Sequence, residues 1–203
     1  MNDSTTPPPR STRLKRGERR LQILQMLAKM LQDPENDRVT TAALAARLQV
    51  SEAALYRHFA SKAQMFEGLI EFIESTVFGL VNQITTQHAD DGQRQLRGIV
   101  AMLLTFAEKN PGMTRVLVGD ALVTEDGRLQ ERINQLTDRL ETSLKQAFRV
   151  SIAQGQLPVD TDVSVRAALV LSFVLGCWLR FAKGGFRRTP GEYFPQQATY
   201  LFS

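Results

Sequence analysis

Histidine and cysteine are nearly missing from this chain, with two of the first and one of the second in 203 residues. A zinc site needs clustered His, Cys or carboxylate ligands, and nucleophilic catalysis needs a nucleophile beside a base. His58 and His88 stand apart from each other and from Cys177, and there is no glycine-rich phosphate loop. The expectation is therefore no metal, no cofactor and no enzyme activity. A lone cysteine cannot close an intrachain disulfide, and Cys177 falls in the most apolar stretch, where it serves as a small hydrophobe in a reducing cytoplasm. That stretch, Ala167 to Leu179 with Ser172 inside it, covers 13 residues, short of the roughly 20 that span a bilayer. Residues 1–20 hold Pro7, Pro8 and Pro9 and many charges but no apolar leader core. Neither a membrane span nor a signal peptide is expected, and membrane association is not required.

What is present is an ordinary globular composition, 43% hydrophobic and 23% charged, at a length that allows one good core plus a small module. The net charge of +4 is unevenly placed. Residues 10–62 hold 11 basic and 5 acidic side chains, whereas residues 63–203 hold 14 basic and 15 acidic. A positive N-terminal quarter on a nearly neutral body is the footprint of contact with a polyanion. Composition leaves DNA, RNA and anionic lipid open.

Hydrophobic periodicity predicts an all-α fold without internal repeats. Residues 1–12 are expected to be a disordered basic arm carrying Arg10, with Arg13 just beyond it, or else an inert tail. Leu21, Ile23, Leu24, Leu27, Ala28 and Leu31 mark one face of a first helix, ended by the turn-rich segment from Asp33 to Asp37. Thr40 or Thr41 caps a second helix to about Leu48, and Ser51 a third to about Phe59. Ser61-Lys62-Ala63-Gln64 has capping-box form and opens a long fourth helix. Further helices are expected near 93–109, 113–123, 129–153, 162–183 and 192–202, separated by Pro and Gly stops. The expected division is an arm at 1–12, a three-helix head at 13–65 and a helical body at 66–203.

The head has the spacing of a helix-turn-helix: small Ala45 at the helix crossing, Gln49-Val50 at the turn and apolar Leu55 on the inner face of the second helix. Gln49 stands where glycine would suit a positive φ, at a cost of about 1 kcal/mol. The stretch Thr40 to Ala45 followed by Val50 to Lys62 resembles the head of the TetR family. That resemblance implies a TetR-like fold and duplex DNA as partner. It also implies phosphate contacts from Thr40, Thr41 and Lys62, backbone contacts from Tyr56 and His58, and a recognition helix bearing Ser51, Glu52, Ala53, Leu55, Tyr56 and Arg57 in the groove. Arginine at 57 suits a guanine edge; Glu52 either accepts from cytosine or only caps the helix.

Longer words, among them Leu69-Ile70-Glu71-Phe72-Ile73-Glu74, Asn110-Pro111-Gly112 and Arg132-Ile133-Asn134-Gln135-Leu136, are similar to the nucleoid-occlusion branch of that family. This implies a nucleoid-associated cytoplasmic protein that binds chromosomal sites, as one dimer or several per site, and antagonises the division protein FtsZ. Phe72 is either an exposed anchor for that partner or a core residue. With Met102, Lys109 and Asn110 it marks a possible FtsZ surface, although Lys109 to Gly112 also reads as a helix stop. The apolar helix at 162–183 needs cover on nearly every side. Ser172 and Gly176 permit close approach, so Val170, Ser172, Leu175, Gly176, Trp178 and Leu179 are expected at a homodimer interface, as the family pairs its last long helices. The competing expectation is a ligand-responsive repressor with Phe78, Met102 and Phe106 lining a pocket.

Overall fold

The computed structural model describes residues 16–33, 39–123 and 125–203. The expected arm at 1–12, Arg10, Arg13 and most of the turn segment lie outside them. Among the described residues there is helix and no strand. The elements are α1 (Arg16–Met30), α2 (Thr41–Arg47), α3 (Glu52–Tyr56), α4 (Lys62–Gln87), α5 (Gly92–Lys109), α6 (Pro111–Leu117), a 3-10 turn (Asp120–Leu122), α7 (Gly127–Ala153), α8 (Val163–Lys183) and α9 (Phe194–Leu201).

Local chemistry sets most of these boundaries. The side chains of Thr40, Ser51, Ser61, Asp91, Asp126 and Asp162 accept first-turn amides, satisfying donors that a helix start leaves without carbonyls. The cap of α2 is thus Thr40. Pro111 begins α6, where its missing N–H costs nothing. Helix α7 ends with Gly155 at φ 67°, its N–H on the Ile152 carbonyl and that of Gln156 on Ser151. Helix α8 closes in the same way through Gly185 and Phe186, whose ring meets Phe181 edge-on at 5.2 Å between centroids. The third helix is shorter than its pattern suggests, stopping at Tyr56, and the sixth stops at Leu117 before the 3-10 turn.

Helices α4, α5, α7 and α8 pack around one core of leucine, isoleucine, valine and aromatic side chains, while α1 joins the head to α4 and α6. Ile23, Leu24, Leu27, Ala28 and Leu31 face inward, but Leu21 is 40% exposed and leaves the predicted stripe. Phe106 is buried and Met102 and Phe78 pack against the core, so these three fill the body where a pocket lining was considered. Trp178 is buried with its indole N–H donated to the Leu103 carbonyl at 3.1 Å, and Val170, about two turns earlier on α8, is fully buried in the same core. Both belong to the protomer's own interior. The exposed stripe of α8 is Val165, Ala168, Leu169, Ser172 and Leu179, with Leu175 and Gly176 half-buried along it. At 21 residues α8 exceeds the apolar stretch read from sequence and is long and apolar enough to cross a membrane by length and composition; one of its faces lies in the protein core.

Head and body meet where α6 crosses α1. A Cβ on Gly112 would lie 1.9 Å from the Ala28 carbonyl oxygen, so only glycine permits the approach. Buried Arg115 on α6 then donates to the Leu31 and Asp33 carbonyls past the end of α1, at 3.5 and 3.1 Å, and to Asp120 at 2.8 Å. Burial opposes the ionisation of Asp120, yet bonds from Lys183 of α8 and from Arg115 prevail and hold its carboxyl below the ordinary range. Substituting Gly112 by Ala should lower the unfolding free energy by about 2 kcal/mol, in the range of overpacked cores. Urea denaturation followed by circular dichroism checks this; an unchanged midpoint would contradict the tight crossing.

Candidate nucleic-acid interface

The head is a three-helix cluster in which α2 and α3 are joined by a left-handed turn. Gln49 has φ 55°, its N–H bonds to the Ala46 carbonyl at 3.1 Å, and that of Val50 reaches back to Ala45 at 3.0 Å. These are the paired bonds of a helix ending that ordinarily takes glycine at its left-handed position. The turn geometry expected from spacing is therefore present, with glutamine carrying the strain. Ala45 is buried at the crossing and Leu55 is 1% exposed beneath α3. Leu55 anchors the recognition helix from inside and does not reach a ligand surface, so it leaves the set of predicted DNA contacts.

The outer face of α3 carries the rest. Ser51, Glu52, Ala53, Tyr56 and Arg57 are exposed, Tyr56 to 45%, and His58 is half-buried just past the helix. Ser51 serves as N-cap, its oxygen accepting from the Ala54 amide at 3.2 Å. Thr40 accepts from Ala43 at 3.1 Å, a bond that uses an oxygen lone pair and leaves the hydroxyl proton to be donated outward. Thr41 already donates, to Glu52 Oε2 at 2.6 Å. Glu52 is thereby held by a neighbouring helix, an arrangement that neither the capping nor the base-contact reading anticipated. Lys62 is the first residue of α4, and its ammonium pairs with the Glu125 carboxylate just ahead of α7. It lines a shallow crevice with Val39, Thr40, Thr41, Leu44 and Met65, so the three predicted phosphate donors are neighbours. Ser61 accepts from the Gln64 amide at 3.1 Å, and the Gln64 side-chain oxygen accepts from the Ala60 N–H at 2.8 Å, which fixes the start of that helix.

Two residues of this site carry no local signal in the sequence. Arg20 of α1 stacks its guanidinium 4.2 Å from the Phe59 ring centroid and donates to the His58 carbonyl, tying α1 to the end of α3. Glu125 lies 63 residues from Lys62 in sequence.

The residues expected to meet a protein partner lie on the paired helices α4 and α5 and, for Asn110, at the cap between α5 and α6. Phe72 is half-buried with its ring against the core, Met102 is half-buried, Lys109 is exposed, and Asn110 donates its side-chain amide to the Phe106 carbonyl at 2.8 Å. The exposure of Phe72 thus lies between the two readings of it. Among the described residues no cluster of three or more His, Cys, Asp or Glu is placed to hold a metal ion. Burial pushes the Cys177 thiol above its ordinary range despite nearby Arg180.

Two family models match the chain. Residues 27–69 match the one described as bacterial regulatory proteins, tetR family, and residues 91–203 an SlmA-like model described as tetracyclin repressor-like, C-terminal domain. The nucleoid occlusion factor SlmA of Idiomarina loihiensis is 48% identical over 179 residues, 88% of this chain and 91% of that protein. Its counterpart in Vibrio cholerae is 46% identical over 90% of this chain and 93% of its own length. The solved structure of the TetR family transcriptional regulator PfmR from Thermus thermophilus superposes with a TM-score of 0.73 at 21% identity, covering 89% of this chain and 96% of that one. The fatty acid degradation regulator FadR from Bacillus halodurans gives 0.77 at 14% identity, covering 94% and 97%. At such identities the two structures speak for the fold alone.

Replacing Gln49 by Gly relieves the left-handed strain at some cost in chain entropy, for a net gain of about 0.5–1 kcal/mol. Thermal unfolding should move upward by a few degrees; a downward shift would show that Gln49 contributes more than its backbone geometry.

Proposed function

The chain belongs to the TetR family of bacterial regulatory proteins, among the nucleoid occlusion factors SlmA, and from that membership we propose that it is a homodimeric, sequence-specific DNA-binding protein that, on its chromosomal sites, inhibits FtsZ assembly and so keeps the division septum off the nucleoid. The supporting observation is the breadth of the likeness. Near-half identity runs over about nine tenths of the chain, through the head that would meet DNA and the body that would meet a partner.

In this reading the head, residues 13–65, places α3 of each protomer in the major groove, the groove wide enough to admit a helix. Arg57 faces base edges, Tyr56 and His58 abut the sugar-phosphate backbone, and Thr40, Thr41 and Lys62 hold phosphates, which position the protein without reading sequence. Ser51 shapes the helix start. The arm at 1–12 carries Arg10 towards the duplex. The body, residues 66–203, dimerises and meets FtsZ. Its partner surface is the α4–α5 region carrying Phe72, Met102, Lys109 and Asn110. No catalysis and no cofactor are involved, and the protein works in the cytoplasm on the nucleoid without needing a membrane.

Dimerisation in this account uses the exposed stripe of α8, where Leu169 and Leu179 are 53% and 46% exposed and a Cβ on Gly176 would meet nothing. Small residues along such a stripe let two helices approach closely. Substituting Leu179 by Glu should shift the protein from dimer to monomer at micromolar concentration in analytical ultracentrifugation. Persistence of the dimer would move the interface elsewhere.

The functional test is FtsZ polymer sedimentation in the presence of a specific duplex or a scrambled one. Inhibition is expected with the specific duplex only, and Phe72→Ala should abolish it while leaving the DNA dissociation constant within about twofold, as additivity between distant sites requires. Inhibition indifferent to DNA, or equal loss of DNA binding and inhibition in Phe72→Ala, would overturn the reading.

A further inference from the structure

The cation best placed for phosphate at the foot of the head is already paired. Lys62 opens α4 beside Thr40 and Thr41, and its ammonium meets the carboxylate of Glu125, a body residue between the 3-10 turn and the Asp126 cap of α7. The pair is only partly exposed, 22% for the lysine side chain and 10% for the glutamate. On the same face Thr41 gives its hydroxyl proton to Glu52. Two donors that the head would offer to DNA are thus held by internal carboxylates. A carboxylate resembles a phosphate to such donors, since both present anionic oxygens that accept from ammonium and hydroxyl groups.

We propose that Glu125 is an internal competitor for DNA: its carboxylate holds Lys62 in the free protein, and a phosphate must displace it to take the same ammonium. This rests on the DNA-binding reading above and adds to it a residue of the body that limits affinity. The physical reason is an exchange of one ionic partner for another. The incoming phosphate gains Lys62 only as the lysine leaves Glu125, and it also meets a like charge left a few ångströms away. Lysine suits such an exchange because its ammonium is a compact charge on a flexible stem, with three donors that can be redirected. The competition acts on affinity rather than sequence preference, since Lys62 would meet backbone and not bases.

The test measures binding to a specific duplex at low and moderate ionic strength for the wild type, Glu125→Gln, Lys62→Gln and the double variant. Asp160→Asn serves as a charge control, because it removes one exposed negative charge from the connection that follows the far end of α7, a 27-residue helix about 40 Å long. Glutamine keeps the shape of Glu125 and removes its charge. Glu125→Gln should tighten binding about two- to fivefold at low ionic strength, the range for partly exposed ion pairs, and by clearly more than Asp160→Asn. In the Lys62→Gln background the same change should give no more than the control. Weaker binding in Glu125→Gln, a gain no larger than that of Asp160→Asn, or a full gain persisting without Lys62 would each overturn the proposal. A wild type with no preference for any duplex would instead overturn the DNA-binding reading, and this inference with it.

Discussion

The contact between α6 and α1 is the constraint on which the rest of the molecule depends. Gly112 brings the start of α6 against the Ala28 carbonyl, and buried Arg115 then spends its donors on the carbonyls of Leu31 and Asp33 past the end of α1. Helix ends leave such carbonyls without amide partners, and a charged donor meets them at low cost. From Arg115 the polar chain continues through Asp120 to Lys183 at the end of α8. One continuous set of contacts therefore runs from the first helix of the head to α8, whose exposed apolar stripe is the proposed dimer face. In the proposed dimer this link would help to hold two heads at the separation that half-sites spaced by the turn of the duplex require.

Within the head, three hydroxyl caps and one strained turn do most of the positioning. Thr40, Ser51 and Ser61 start three successive helices, and the left-handed Gln49 sets the angle between the two that matter. Leu55 and Ala45 pin them from inside, while Arg20 grips the chain just after α3 through His58 and Phe59. A recognition helix of five residues is too short to be stable by propensity. These outside supports keep it formed and leave Ala53, Tyr56 and Arg57 turned to the outside.

Much of this was legible in the sequence because it is written locally. Caps, prolines and glycines fix helix ends within a few residues, and the helices at 92–109, 127–153 and 163–183 lie close to where periodicity placed them. The left-handed turn at Gln49 could be read from the spacing of Ala45 and Leu55. Where the reading failed, the missing information was tertiary. Nothing local ends α3 at Tyr56; the stop comes from Phe59 entering the core and from Arg20 across the chain. Helix α8 is apolar over most of its surface, and the few polar residues along it, Ser172 and Arg180 among them, do not by themselves separate an inner from an outer face; Val170 and Trp178, expected at the dimer interface, lie instead in the protomer's core. Leu55 shares a five-residue helix with exposed neighbours, and only the packing of the head shows that its side chain points inward. The pairing of Lys62 with Glu125 and of Thr41 with Glu52 joins residues whose nearness only the fold creates.

As proposed, a DNA-reading head, a paired body and a partner surface stand in one protein that acts wherever its sites occur, and so marks the chromosome as a whole and does not govern a single promoter. Genome-wide mapping of its binding sites in growing cells tests that most directly. Many specific sites scattered over most of the chromosome are the predicted result, and occupancy confined to one site beside its own gene, as a local repressor would give, would contradict it.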